Sequence, residues 1–97
     1  MLGWFKVAKG NNRMAMTPIP SGSTLLIEAE EENNPKTVLN AYLVSGEGEA
    51  ETYTEIASSF YSEETPLENQ QHFLWAMSSL AEFHNVSFTN ETGIKAP

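Results

Sequence analysis

Carboxylates are the main chemical resource of this chain. All thirteen acidic residues are glutamate, and no aspartate or cysteine is present. Two glutamates at the right separation can act as a general acid and base. Thirteen of them bring pairs together by chance, so no particular pair stands out. A serine nucleophile would need an oriented histidine, and neither a G-x-S-x-G elbow nor an aspartate is available to build one. His72 and His84 are twelve positions apart on one expected helix, which separates them by roughly 120° of rotation and about 18 Å of rise. They cannot share an ion, and no other spacing resembles a zinc or calcium site. Without cysteine, disulfides, iron–sulfur clusters and thiol catalysis are excluded. The glycines of Gly46-Glu47-Gly48-Glu49 are flanked by carboxylates that would repel a phosphate. The residues therefore indicate a protein that is not an enzyme and that carries no cofactor or metal.

Charge placement is more informative. Lys6, Lys9 and Arg13 precede every acid, and no lysine or arginine occurs between residues 37 and 94. Nine glutamates fall in that stretch, and the formal net charge is −8. Direct nucleic-acid binding is disfavoured, because a binder needs several cations to neutralise phosphates. Lys6, Lys9 and Arg13, beside Trp4 and Phe5, form only a small basic patch. The glutamates at 47, 49, 51, 55, 63, 64 and 68 instead suggest an acidic surface for a basic protein partner. On a helix, Glu51 and Glu55 would be separated by a rise of about 6 Å, close to the phosphate spacing of a nucleic-acid strand. Such a face could compete for a nucleic-acid groove.

These residues must be carried by a single domain, since 97 residues are too few for two cores. Residues 2–8 read as a strand from their aromatic and β-branched content. Residues 9–22, with Gly10-Asn11-Asn12 and Pro18-Ile19-Pro20, read as a long loop. Residues 23–31 alternate as a second strand, with Leu25, Ile27 and Ala29 on the core side. Glu32-Asn33-Asn34-Pro35 would turn the chain into a third strand over 36–44, a segment that also fits one face of a short helix.

Tyr53, Ile56, Ala57 and Phe60 recur at helical spacing and predict an amphipathic helix over 49–61. A second helix opens at Thr65-Pro66-Leu67-Glu68, where a capping hydroxyl, an N1 proline and a capping-box glutamate coincide. Its expected stripe is Leu67, Phe73, Leu74, Met77, Leu80 and Ala81, and Asn85 can end it in the left-handed conformation. Trp75 and Phe83 fall off that stripe, as buried packing or as anchors for a partner. Val86-Ser87-Phe88 is a candidate short final strand, and 89–97 reads as a loose tail.

The expected fold is α+β: a three-stranded antiparallel sheet, with that candidate fourth strand, and two C-terminal amphipathic helices packed on one face. No signal peptide or membrane span is read, which predicts a cytoplasmic protein. The two N-x-S/T triplets at Asn85 and Asn90 are then expected to be incidental.

The functional expectation is a non-enzymatic binding protein. Glu47, Glu49, Glu51, Glu55, Glu63, Glu64, Glu68 and Trp75 would meet a basic surface of a protein partner. A small inhibitor of nucleic-acid-handling machinery, of the kind phages or mobile elements encode, suits this size and charge. The alternatives are an assembly subunit joined through sheet edges or exposed aromatics, and a small-molecule enzyme or sensor.

Overall fold

A computed structural model describes residues 4–6, 12–15, 18–31, 37–59 and 65–95. The chain builds β1 (Trp4–Lys6), β2 (Asn12–Ala15), β3 (Thr24–Ala29), β4 (Leu39–Ser45), a 3-10 turn (Gly48–Ala50), β5 (Thr52–Ser59), α1 (Pro66–His84) and β6 (Ser87–Asn90). Four strands in the order β5-β4-β3-β6 form a mixed sheet that carries the helix, and the β1–β2 hairpin extends it beyond β5. All neighbours are antiparallel except β3 and β6, which run parallel. That pairing follows from the connection: β6 is delivered by a helix that crosses the sheet, not by a hairpin.

Besides replacing the expected three-stranded antiparallel sheet with a larger, mixed one, this architecture corrects the expected one in four places. Only one helix, α1, occurs among the described residues, where two were expected. Residues 49–59 form the end of a 3-10 turn and strand β5, not a helix. The expected loop 9–22 contains β2, which pairs with both β1 and β5. The segment read as a loose tail begins inside β6 and stays anchored, with Thr92 buried. The expected turn at 32–35 lies outside the described residues.

The physical reason for the second correction lies in β5. Ala41 pairs with Ala57, but the next residue, Tyr42, pairs with Glu55. Ile56 is therefore an extra residue, a β-bulge, and both Ile56 and Ala57 are fully buried. A bulge breaks the two-residue alternation of a strand. Two adjacent buried positions, preceded by Tyr53, then imitate the i, i+3, i+4 spacing of a helix.

One face of the sheet is apolar. Leu25 pairs with Leu43, Ile27 with Ala41 and Ala29 with Leu39, so these side chains share a side. Phe73, Leu74, Met77 and Ala81 of α1 close on that side and complete the core with Ile56 and Ala57. The expected helix stripe is right for these four. Leu67 departs from it and is 46% exposed, while Asn69 and Gln70 are buried in the first turns. Gln70 is held by a bond from its Nε2 to the carbonyl of Thr37, 2.6 Å long, which ties the helix to the start of β4. Leu39 N–H donates to Ser59 Oγ at 2.8 Å, satisfying a buried backbone group with a buried hydroxyl.

The helix ends as its residues dictate. Asn85 adopts φ 54° and ψ 47°, the left-handed cap. Its N–H and that of Val86 return to the carbonyls of the last turn, at Glu82 (3.1 Å) and Ala81 (3.0 Å). Thr65 holds the N-cap position, although its side chain makes no capping hydrogen bond. Beyond β6, Glu91 N–H donates to the Ile27 carbonyl at 2.9 Å. Asn90 Oδ1 accepts from Thr92 N and Oγ1, and Asn90 Nδ2 donates to the Ile94 carbonyl. The Asn90 and Thr92 side chains of the Asn90-Glu91-Thr92 triplet are thus used to fix the segment after β6.

Candidate functional site

The face of the sheet turned away from α1 is chemically different. Strand alternation places Leu26 and Glu28 of β3, Asn40, Tyr42 and Val44 of β4, and Tyr53 and Glu55 of β5 on it. Leu26 is buried, Tyr42, Val44 and Asn40 are half-buried, and Glu28 and Glu55 are exposed. Tyr53 is 56% exposed, a large aromatic surface for a strand.

Register fixes how these residues meet. Tyr42 lies directly opposite Glu55 and Leu26, and Val44 opposite Tyr53. Tyr42 and Tyr53 are therefore diagonal neighbours, about 7–8 Å apart at their backbones. Glu51, two residues before Tyr53, accepts a hydrogen bond from the Tyr53 hydroxyl. Glu30, two residues beyond Glu28, accepts from Asn40 Nδ2 at 3.4 Å. Tyr42 on β4 thus lies between Glu55 of β5 and the β3 side of the face, where Glu28 and Glu30 stand, and Tyr53 lies between Glu51 and Glu55 along the chain.

The acids mark the phenols. Burial pushes the Tyr42 pKa above its ordinary 10.0, and Glu55, Glu28 and Glu30 raise it further, while a hydrogen bond with Asn40 opposes the rise. Tyr53 is raised first by its hydrogen bond to Glu51 and then by that carboxylate's charge, with lesser effects from Glu28 and Glu91. A negative neighbour disfavours a second negative charge, so each phenol holds its proton more tightly. For Tyr42 the sign of the stability effect follows from linkage. The folded state binds the proton more tightly than the unfolded state, so the contribution is present below 10.0 and is lost as pH rises through the raised value. Glu51→Gln is expected to lower the Tyr53 pKa towards 10.0 without shifting that of Tyr42 comparably, which phenolate absorbance during alkaline titration would record. An unchanged Tyr53 titration would mean that the Glu51 bond is not formed in solution.

The residues expected to form a single acidic surface are distributed over different parts of the fold. Glu51 and Glu55 lie on the open face. Glu47 and Glu49 are exposed at the turn between β4 and β5. Glu68 is exposed in the first turn of α1, and Trp75 projects from that helix with 52% of its surface exposed. Because α1 covers the other side of the sheet, Glu68 and Trp75 belong to a different surface from Glu55. Glu63 and Glu64 lie outside the described residues. On a strand, Glu51 and Glu55 are about 13 Å apart along the chain, which removes the match to phosphate spacing that a helix would provide.

Sequence reasoning missed Tyr42, Tyr53, Glu28, Glu30 and Glu91 as neighbours on one face. A usable signal was present in the alternation Glu51-Thr52-Tyr53-Thr54-Glu55, whose β-branched and aromatic residues favour a strand.

The helix surface holds the remaining chemistry. His72 stacks on Trp75 with ring centroids 5.6 Å apart, and His84 meets Phe83 edge-on at 5.1 Å. Phe83 is 83% exposed. Among the described residues no group of three or more histidines or acids could hold a metal ion. No helix among them is long and apolar enough to cross a membrane. Comparison of the chain with protein-family models, curated proteins and solved structures returns no match.

Proposed function

We propose that this protein is a non-enzymatic binding protein that sets the open face of its sheet against a basic surface of a protein partner. The observation that carries this reading is the pairing of exposed Tyr53 with carboxylates on the same face that form no ion pair among the described residues. Carboxylates gathered on one face repel one another, and a cationic partner relieves that repulsion while steering the encounter. The tyrosines add apolar contact area that charge alone does not supply. Inhibition of nucleic-acid-handling machinery is a narrower form of this proposal. It rests on the sign of the charge and not on the spacing of Glu51 and Glu55.

The test is capture from a cell lysate on immobilised wild-type protein and on E51K/E55K, at low and at high salt. The expected partner is retained by the wild type at low salt, released by moderate salt and lost from the variant. Retention indifferent to both salt and substitution contradicts the proposal. A discrete homo-oligomer that E51K/E55K leaves intact and Trp75→Ala dissolves would move the reading to an assembly subunit.

A further inference from the structure

The tyrosines of the open face give its partner a more specific chemistry. Charge alone would accept lysine and arginine equally. The two phenols differ from bare carboxylates in having ring faces, and the Tyr53 hydroxyl is already engaged. It donates to Glu51. A bond at the hydroxyl leaves the face of the exposed Tyr53 ring open to a cation. Carboxylates stand beside both rings: Glu55 opposite Tyr42, and Glu51 at the tip of Tyr53.

A planar cation that stacks on a ring while its edge meets a carboxylate satisfies both features at once. The guanidinium group does this, because it is flat, weakly hydrated and carries donors in a fork that matches a carboxylate. An ammonium group is compact and strongly hydrated, and it gains from the charge but little from the ring. Val44, opposite Tyr53 and half-buried, supplies apolar contact for the methylene stem of the incoming side chain.

We propose that the open face selects arginine over lysine, by stacking guanidinium groups on Tyr42 and Tyr53 between the carboxylates of β3 and β5. This rests on the docking proposal above and narrows it to a partner surface rich in arginine.

Calorimetric titration with an oligoarginine peptide and an oligolysine peptide of the same length, at low salt, tests it. The arginine peptide is expected to bind roughly five-fold tighter, the sum of modest cation–π gains at the exposed Tyr53 ring and the half-buried Tyr42 ring. Tyr53→Phe keeps a ring face and retains most of that preference, whereas Tyr53→Leu reduces it clearly. Because Tyr53 is exposed, both variants keep the fold, and circular dichroism checks that they do. Equal affinities for the two peptides, or a preference that survives Tyr53→Leu undiminished, overturns the arginine inference. If the peptides bind equally and E51K/E55K abolishes both, the acidic docking face stands and only the arginine selection falls. If neither peptide binds the wild type, both readings fall together.

Discussion

Truncating Phe73 to alanine is expected to remove about 3–5 kcal/mol of stability. A domain of this size has only about 5–15 kcal/mol in total, so the variant should be near its unfolding limit at room temperature. Phe73 is fully buried where α1 meets the sheet, in the same cluster as Leu25, Ile27, Leu39 and Ile56. Removing its ring leaves a cavity that the surrounding strands cannot close without disturbing their hydrogen bonds. Phe83→Ala, in the same helix, is the matched control. That ring is 83% exposed, and its loss should change stability by no more than about 0.5 kcal/mol. Urea unfolding of the two variants separates them through the midpoint. A Phe73→Ala cost below about 1 kcal/mol would show that the core is not centred on this helix face.

Gly46→Ala is the second large effect, and it acts through backbone geometry. Gly46 has φ +89°, a conformation that side chains resist, and an added Cβ would collide with the carbonyl of Ala50. The strained backbone alone costs about 1–3 kcal/mol, and the collision adds to it, because a backbone atom and not a flexible side chain is in the way. Gly48 lies two residues on, at φ +57°, with nothing near its missing Cβ. Gly48→Ala is therefore expected to cost only about 1 kcal/mol, the left-handed penalty without the clash. Thermal unfolding of the pair reads the difference. Equal shifts would mean that the turn relaxes around Gly46. The turn matters for the face, because it sets the register that places Val44 opposite Tyr53 and Tyr42 opposite Glu55.

Where each local signal in the sequence agreed with its tertiary setting, the fold was legible. Pro66 and Asn85 bracket α1 within a residue, because a ring that fixes φ and a side chain that tolerates positive φ act locally. The alternation of Leu25, Ile27 and Ala29 marks β3, and the strand expected over 36–44 corresponds to β4 at Leu39–Ser45. Legibility ended where tertiary structure overrides local pattern. The bulge at Ile56 disguised β5 as a helix, and β2, at four residues, is too short to carry a period among turn-forming neighbours. The parallel pairing of β6 with β3 depends on where α1 delivers the chain, which no spacing records. Leu67, expected in the stripe, is exposed, while Gln70 is buried and donates to the Thr37 carbonyl, a partner 33 residues away.

The candidate site followed from these errors. Reading 49–61 as a helix put Tyr53 into a core stripe and Glu51 and Glu55 onto its outer face. In the strand, all three share the open face, and the exposed tyrosine becomes part of the surface the acids surround. The early signal, a long stretch without cations, thus survives in a different geometry: carboxylates on neighbouring strands, with phenols between them. Trp75 and Glu68 lie on the other layer and supply a control surface.

The central claim is that docking uses the open sheet face and not acidity in general. It is tested most directly by measuring oligoarginine affinity over a range of salt for the wild type, E51K/E55K and E68K/E82K. The two variants alter the net charge equally, one on the open face and one on α1. The account predicts that wild-type affinity falls as salt rises, that E51K/E55K weakens it about ten-fold or more with a flatter salt dependence, and that E68K/E82K remains close to wild type. Equal losses in the two variants, or none in either, would contradict it.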